Sequence, residues 1–154
     1  MLRKQLSNFK GRSKPHFKKG RTLRQFLFNG EPKKSTRKKN VCYRVPCLNC
    51  HYSYIGETSQ WWDEQEKQHK RCIKNQDENN SFWQHLKQNP DHEIGWGQVS
   101  FLAFDSRFHH RRMKESILID IFAHHGVINI EDGMKKDMCW AVLFPSLRKG
   151  FSEK

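Results

Sequence analysis

Asn40-Val-Cys-Tyr-Arg-Val-Pro-Cys-Leu-Asn-Cys-His-Tyr-Ser-Tyr-Ile-Gly56 decides how the rest of the chain is read. Residues 41–45 alternate and are rich in β-branched and aromatic side chains, which predicts a strand. Pro46-Cys-Leu-Asn-Cys50 reads as a tight turn, and residues 52–55 as a second strand, so the stretch is a hairpin. Gly56-Glu-Thr58 is expected to break it. Thr58 or Ser59 is then placed to cap a helix reaching about residue 74.

Farther along, residues 75–80 are a polar loop and Ser81 is expected to cap a short helix over 82–88, which Asn89-Pro90-Asp91 ends. Residues 98–104 predict a third strand. Residues 107–124 predict a long amphipathic helix with Met113, Ile117, Leu118 and Ile121 on its buried side, stopped by Gly126. Residues 140–144 form one later apolar piece. The order β-β-α-α-β-α predicts an α+β fold: a small three-stranded antiparallel sheet flanked by helices.

Charge divides the chain. Of the 29 Lys and Arg, 14 fall in residues 1–40, with only one of the 16 acidic residues, Glu31. The formal net charge of +13 is therefore carried by the N-terminal arm, and the remainder is neutral. Apart from an apolar knot at Leu23, Phe26, Leu27 and Phe28, residues 1–39 hold too little apolar surface to offset ordering entropy, so a largely disordered basic arm is expected. Lys33, Lys34, Arg37, Lys38 and Lys39 are its densest cluster and the candidate nucleic-acid-binding residues; the same cluster can read as a nuclear import signal. DNA is the expected partner, with RNA as the alternative. The division is then 1–39 arm, 40–147 folded domain and 148–154 tail. No stretch approaches the ~20 apolar residues of a membrane span. Met1-Leu-Arg-Lys-Gln5 leads into no apolar segment, so a nuclear or cytoplasmic rather than secreted protein is expected.

Five cysteines, an odd number, point away from a disulfide framework. Cys47-x-x-Cys50 in a turn can chelate one zinc ion. A redox pair would sit at a helix N-terminus after a strand, and this pair lies between two strands. His85 and His92 are candidates for the other two ligands, though chance pairs are common among nine histidines. The adjacent pairs His109-His110 and His124-His125 diverge by about 100° on a helix and supply one ligand each at most.

Val41-Cys-Tyr43-Arg-Val-Pro-Cys47 followed by Tyr54-Ile-Gly56 resembles the GIY-YIG nuclease domain, in the version carried by Penelope-like retroelements. That version has a Cys-x-x-Cys between the two tyrosine motifs and two later histidines that complete a zinc site. Cys47, Cys50, His85 and His92 match those positions, Trp96 and Asn129-Ile-Glu-Asp-Gly133 follow in order, and Leu23-Arg-Gln-Phe-Leu27 is similar to the linker upstream of such domains. The resemblance implies phosphodiester hydrolysis by water. It implies that Tyr43 and Tyr54 position the water or the phosphate, that Glu115 is the single ligand of a catalytic Mg²⁺ or Mn²⁺, and that Asn129 is the late polar residue of the site. Packing tyrosines, a solvated glutamate and a turn-forming asparagine are the plain alternatives at these positions.

Two departures stand out. Val41 and Cys42 occupy the glycine and isoleucine of the first motif. The family's arginine, four residues before a histidine on the first helix, aligns with Gln65, counting back from His69. Glutamine offers a neutral hydrogen bond where arginine offers a fixed charge and a planar fork. The expectation is therefore a metal-dependent DNA endonuclease-type domain with a lowered rate; the alternative is an inactive, zinc-stabilised nucleic-acid-binding module.

Overall fold

The computed structural model describes residues 38–130 together with Thr22, Gln25, Leu27 and Gly133. Lys33, Lys34, Arg37 and the other arm residues apart from Thr22, Gln25, Leu27, Lys38 and Lys39, together with residues 140–144 and the tail, lie outside the described residues. The order is β1 (Lys39–Pro46), β2 (Ser53–Trp61), α1 (Trp62–Lys74), α2 (Ser81–Gln88), β3 (Ser100–Phe104) and α3 (Phe108–Phe122). The strands form one antiparallel sheet in the order β2-β1-β3, the α+β architecture expected from the sequence.

β1 is the central strand and is buried on both faces. Val41, Tyr43 and Val45 face α1 and α2 and pack with Phe82 and Ile94. Cys42 faces α3 and packs with Ile55, Ala103, Ile117, Leu118 and Ile121. Leu27 from the arm joins this second cluster with no exposed surface, so a domain boundary at residue 40 leaves out one core side chain. Thr22 and Gln25 exchange reciprocal side-chain-to-backbone bonds of 3.0 and 3.2 Å, the pairing that opens a helical turn.

Several boundaries differ from the sequence reading, each for a local reason. β2 does not break at Gly56: Tyr43 pairs with Gly56, Cys42 with Glu57 and Val41 with Thr58, and the strand runs on to Trp61. Thr58 is therefore not a helix cap; its hydroxyl accepts from the Gln60 N–H at 3.0 Å and donates to Gln65 Oε1 at 3.1 Å. Asn80, not Ser81, caps α2 by accepting from the Trp83 N–H at 3.1 Å. A 3-10 turn at Trp96–Gln98 delays β3 to Ser100. α3 ends at Phe122 and a 3-10 turn covers Ala123–His125, after which Gly126 at φ 82° turns the chain away. Asn40, at φ 56°, sits at a bulge in the β1–β2 register.

α3 departs most from the amphipathic expectation. Met113 is only partly buried, whereas Arg111, Lys114, Glu115 and Ser116 are buried beside Ile117, Leu118 and Ile121. Buried charges persist where they are paired. Arg111 Nε binds the Glu57 carboxylate on the sheet face that α3 covers, and its Nη1 donates to the Asp105 carbonyl at 2.9 Å. Lys114 Nζ donates to the Phe104 carbonyl at 3.0 Å and lies 3.1 Å from Asp105 Oδ2. Burial works against the Asp105 charge, but hydrogen bonds from Arg107 and Lys114 outweigh it and hold the carboxyl well below the usual range.

Candidate functional site

Two groups of chemistry-bearing side chains stand close together, one at the hairpin turn and one at the open edge of β2. At the turn, Cys47 N–H donates to the Tyr52 carbonyl at 3.0 Å and closes the loop that carries both cysteines. The segment after α2 is laced onto this loop. Leu48 N–H reaches the Glu93 carbonyl at 2.8 Å, Glu93 N–H reaches Asn49 Oδ1 at 2.8 Å, and Gly95 N–H reaches the Pro46 carbonyl at 2.8 Å. A Cβ on Gly95 would lie 2.8 Å from Leu48 Cδ2 and 3.1 Å from the Pro46 carbonyl oxygen, so a side chain there would have to displace Leu48. His85 projects from α2, and His92 from the turn that Asn89 closes with three 3.0 Å bonds, two to the His85 carbonyl (from its N–H and Nδ2) and one from the His92 N–H.

The result is one cluster. Cys47 Sγ is 3.6 Å from His92 Nδ1, Cys50 Sγ is 3.7 Å from His85 Nε2, and the two imidazole nitrogens are 3.2 Å apart. All four donor atoms lie within 4.8 Å of one another, so Cys47, Cys50, His85 and His92 can hold a metal ion. Burial, then the neighbouring His92, holds the His85 imidazole below its usual value, so it is neutral, the form that ligates. Burial, with Cys47 adding to it, pushes the Cys50 thiol up; a bound cation reverses that preference by stabilising thiolate.

The second group is at the edge of β2. Residues 126–129 continue the sheet there. Ser53 N–H donates to the Gly126 carbonyl at 3.1 Å, and Ile128 N–H to the Ser53 carbonyl at 3.1 Å. Asn129 extends this ladder with its side chain: Oδ1 accepts from the Ile55 N–H at 3.0 Å and Nδ2 donates to the Ile55 carbonyl at 2.6 Å. One step farther along the strand, the Glu57 backbone bonds the Glu115 carboxylate. Tyr54, Glu115 and Asn129 thus line a single pocket of about 360 Å³, with Arg112 at its side. It shares Ser81, Gln84, Asn129 and Ile130 with a neighbouring 610 Å³ groove that reaches Cys50, His85 and His92.

Glu115 is 8% exposed, and its Oε2 is buried with no hydrogen-bond partner among the described residues. Burial raises its carboxyl to about 7; the Glu57 charge adds to the rise, while Arg112, the Glu57 backbone and Arg111 oppose it. Tyr43 does not line this pocket. It is 1% exposed, and its hydroxyl lies 2.7 Å from His69 Nε2. Burial, then Tyr54, Glu115 and Glu57, pushes this phenol well above its usual value, while burial brings His69 down to about 4. Both are therefore neutral near pH 7, and Tyr43 is not a base there. Gln65 Nε2 is 3.2 Å from the same His69 nitrogen. Gly56 separates the two phenols: a Cβ there would be 2.7 Å from Tyr43 Cζ, Tyr43 Oη and Tyr54 Cε1.

Of the basic cluster, Lys38 Nζ lies 5.9 Å from the Phe104 ring and Lys39 Nζ 4.9 Å from the Trp61 ring. In the sequence His69 serves only as a marker for position 65, and Glu57, Arg111 and Arg112 belong to no motif. His69 lies four residues after Gln65 and Arg112 three before Glu115, so helical spacing could have found both. Nothing in the sequence points to Glu57, whose partners are fixed by the sheet. Among the described residues no helix is long and apolar enough to cross a membrane. No family model, curated protein or solved structure gives a significant match to the chain.

Proposed function

We propose that this chain is a zinc-stabilised, Mg²⁺- or Mn²⁺-dependent DNA endonuclease-type domain of the retroelement GIY-YIG kind, with a rate lowered by Gln65. The observation that carries the reading is the meeting of Tyr54, Glu115 and Asn129, from three distant parts of the chain, on one pocket beside an arginine. Hydrolysis adds water across one P–O bond, and it needs a positioned water, a cation and a held phosphate.

The chain's own residues divide that work. Glu115 offers a carboxylate oxygen with no internal partner, the group that would hold the divalent ion, which supplies charge neutralisation and an acidified water when bound. Tyr54 lines the same pocket. Tyr43, tied to His69, fixes Tyr54 from behind across Gly56. Asn129 holds the strand edge and does not face the pocket with a free amide, since both its polar atoms are on Ile55.

Zinc is the ion we assign to the four-residue cluster. Bonds of about 2.3 Å to sulfur and 2.0–2.1 Å to nitrogen in a tetrahedron give S···N edges near ~3.5 Å and an N···N edge near ~3.3 Å. The separations of 3.6, 3.7 and 3.2 Å fit those edges. The neutral Gln65, bound to Thr58 and His69, favours the alternative of an inactive nucleic-acid-binding module, with Lys33, Lys34, Arg37, Lys38 and Lys39 on the phosphates.

Nicking of supercoiled plasmid in Mg²⁺ or Mn²⁺ separates the two readings. The expected result is slow nicking by the wild type, more by Gln65→Arg, and none by Glu115→Gln. Equal inactivity of wild type and Gln65→Arg, both folded and zinc-loaded, overturns the nuclease reading.

A further inference from the structure

Charge that develops on a phosphate in hydrolysis is stabilised by a nearby fixed cation. Gln65 carries none, and its amide is engaged by Thr58 and His69. Four Lys and Arg lie on or just before α3, and their surroundings sort them. Arg107 is exposed and closed by Asp105 at 3.0 Å. Arg111 and Lys114 are 2% and 1% exposed, turned inward onto Glu57, Phe104 and Asp105. Arg112 is left, and among the described residues it is the only Lys or Arg lining the pocket of Tyr54 and Glu115.

Arg112 is an ion-pair neighbour of Glu115 but makes no hydrogen bond to it. Its Nη1 is 3.8 Å from Glu115 Oε2, beyond hydrogen-bond reach, and Oε2 has no hydrogen-bond partner among the described residues. The side chain is 38% exposed and lines the pocket, so solvent and a ligand can reach it. A guanidinium in that position can give a phosphate two parallel N–H bonds. It stands one helical turn before the carboxylate assigned to the divalent ion, so one phosphate can be held from both.

Resting on the hydrolase reading above, we infer that Arg112 binds the substrate's phosphate in this pocket and supplies from α3 the cation that the family pattern places on α1. The substrate class is a nucleotide phosphodiester. Arg112 acts in the same pocket as Glu115, and Gln65 is left as a link in the hydrogen-bonded chain behind Tyr43.

The test uses the full zinc-loaded chain and thymidine 3′,5′-bisphosphate as the probe, in Ca²⁺, measured by calorimetry across a salt series. Arg112→Ala should weaken binding about tenfold and lower the salt slope by about one. In the plasmid assay it should cut nicking roughly 10²–10³-fold. Arg112→Lys should keep most of the binding and recover only part of the nicking, because it lacks the fork. Adding Gln65→Arg to Arg112→Ala should restore part of the lost rate. Should the alanine variant not fold, Arg112→Gln takes its place. Bisphosphate binding unchanged by loss of Arg112 overturns the inference, whatever nicking does. Nicking absent from every variant, with bisphosphate binding still dependent on Arg112, removes the hydrolase reading and leaves the phosphate site standing.

Discussion

The hairpin corner and the strand edge hold similar numbers of candidate functional side chains but are built by opposite means. At the corner, Cys47, Cys50, His85 and His92 come from two segments laced by backbone bonds, and their donor atoms already sit within 4.8 Å of one another. At the edge, Tyr54, Glu115 and Asn129 come from a strand, a helix and a loop, and the pocket between them has space and an unsatisfied carboxylate oxygen. The corner gathers its four donors in advance, which suits a structural ion. The edge keeps an open position, which suits a reacting one. The lesson is that these two groups should fail in different ways when disturbed.

The largest break expected is at the corner. If the proposed zinc is held there, Cys47→Ser or a strong chelator should remove it and release the segment around His92, because the binding energy of a structural zinc is folding energy. The apparent binding of such an ion is on the order of 10 kcal/mol, comparable with the whole stability of a small domain. Loss of near-UV circular dichroism together with one zinc per chain is the expected result. A variant that stays folded without metal would show that the corner is only a packing contact.

Glu115 sharpens the contrast with the opposite sign. Its carboxyl is raised from 4.5 to about 7 in the folded chain, so the native state binds that proton more tightly than the unfolded one. Stability from this group is complete below about pH 4.5 and is lost as pH rises through about 7. Without added divalent ion, Glu115→Gln, which resembles the protonated form, should therefore match wild type near pH 4 and exceed it at pH 8. A shift of this size corresponds to about 3 kcal/mol. Comparing the two proteins at each pH cancels the separate titration of His69, whose lowered value destabilises the fold toward acid. Urea midpoints that differ equally at both pH values would show that Glu115 is not held protonated by its surroundings.

The corner was largely legible in the sequence and the edge only in part, for physical reasons. Cys-x-x-Cys in a turn is a local pattern, and two histidines flanking a helix end can be seen in a string of letters. The buried α3 charges could not be, since Arg111 finds Glu57 from 54 positions away and only the sheet brings them together. Composition also misled at Gly56 and Thr58, which look like a strand end but pair with Tyr43 and Val41. The resemblance supplied Tyr43, yet that phenol is packed behind the pocket, and Arg112, which lines it, carried no motif to announce it.

Gly56 tests how rigidly the two phenols are set. An alanine Cβ would enter within 2.7 Å of both rings, neither of which is the loose end of a flexible chain. Overpacking of this kind costs about 1–3 kcal/mol, so Gly56→Ala should lower the urea midpoint while zinc content stays at one per chain. Zinc lost in parallel with stability would mean that the corner and the edge are one cooperative unit.

Asn129 is the mildest probe and the one that separates holding an edge from doing chemistry. Its two bonds to Ile55 replace a backbone pair, and each such bond contributes about 0.5–1.5 kcal/mol net. Asn129→Ala should cost roughly 1–2 kcal/mol and speed amide exchange at Ile55, the donor left without its partner. Asn129→Asp keeps the acceptor for the Ile55 N–H and turns the Nδ2 position into an oxygen facing the Ile55 carbonyl, so it should be no more stable than alanine. If Asn129→Ala leaves the Ile55 amide as protected as before, the side-chain ladder is not what closes this edge, and the amide is free to face the pocket instead.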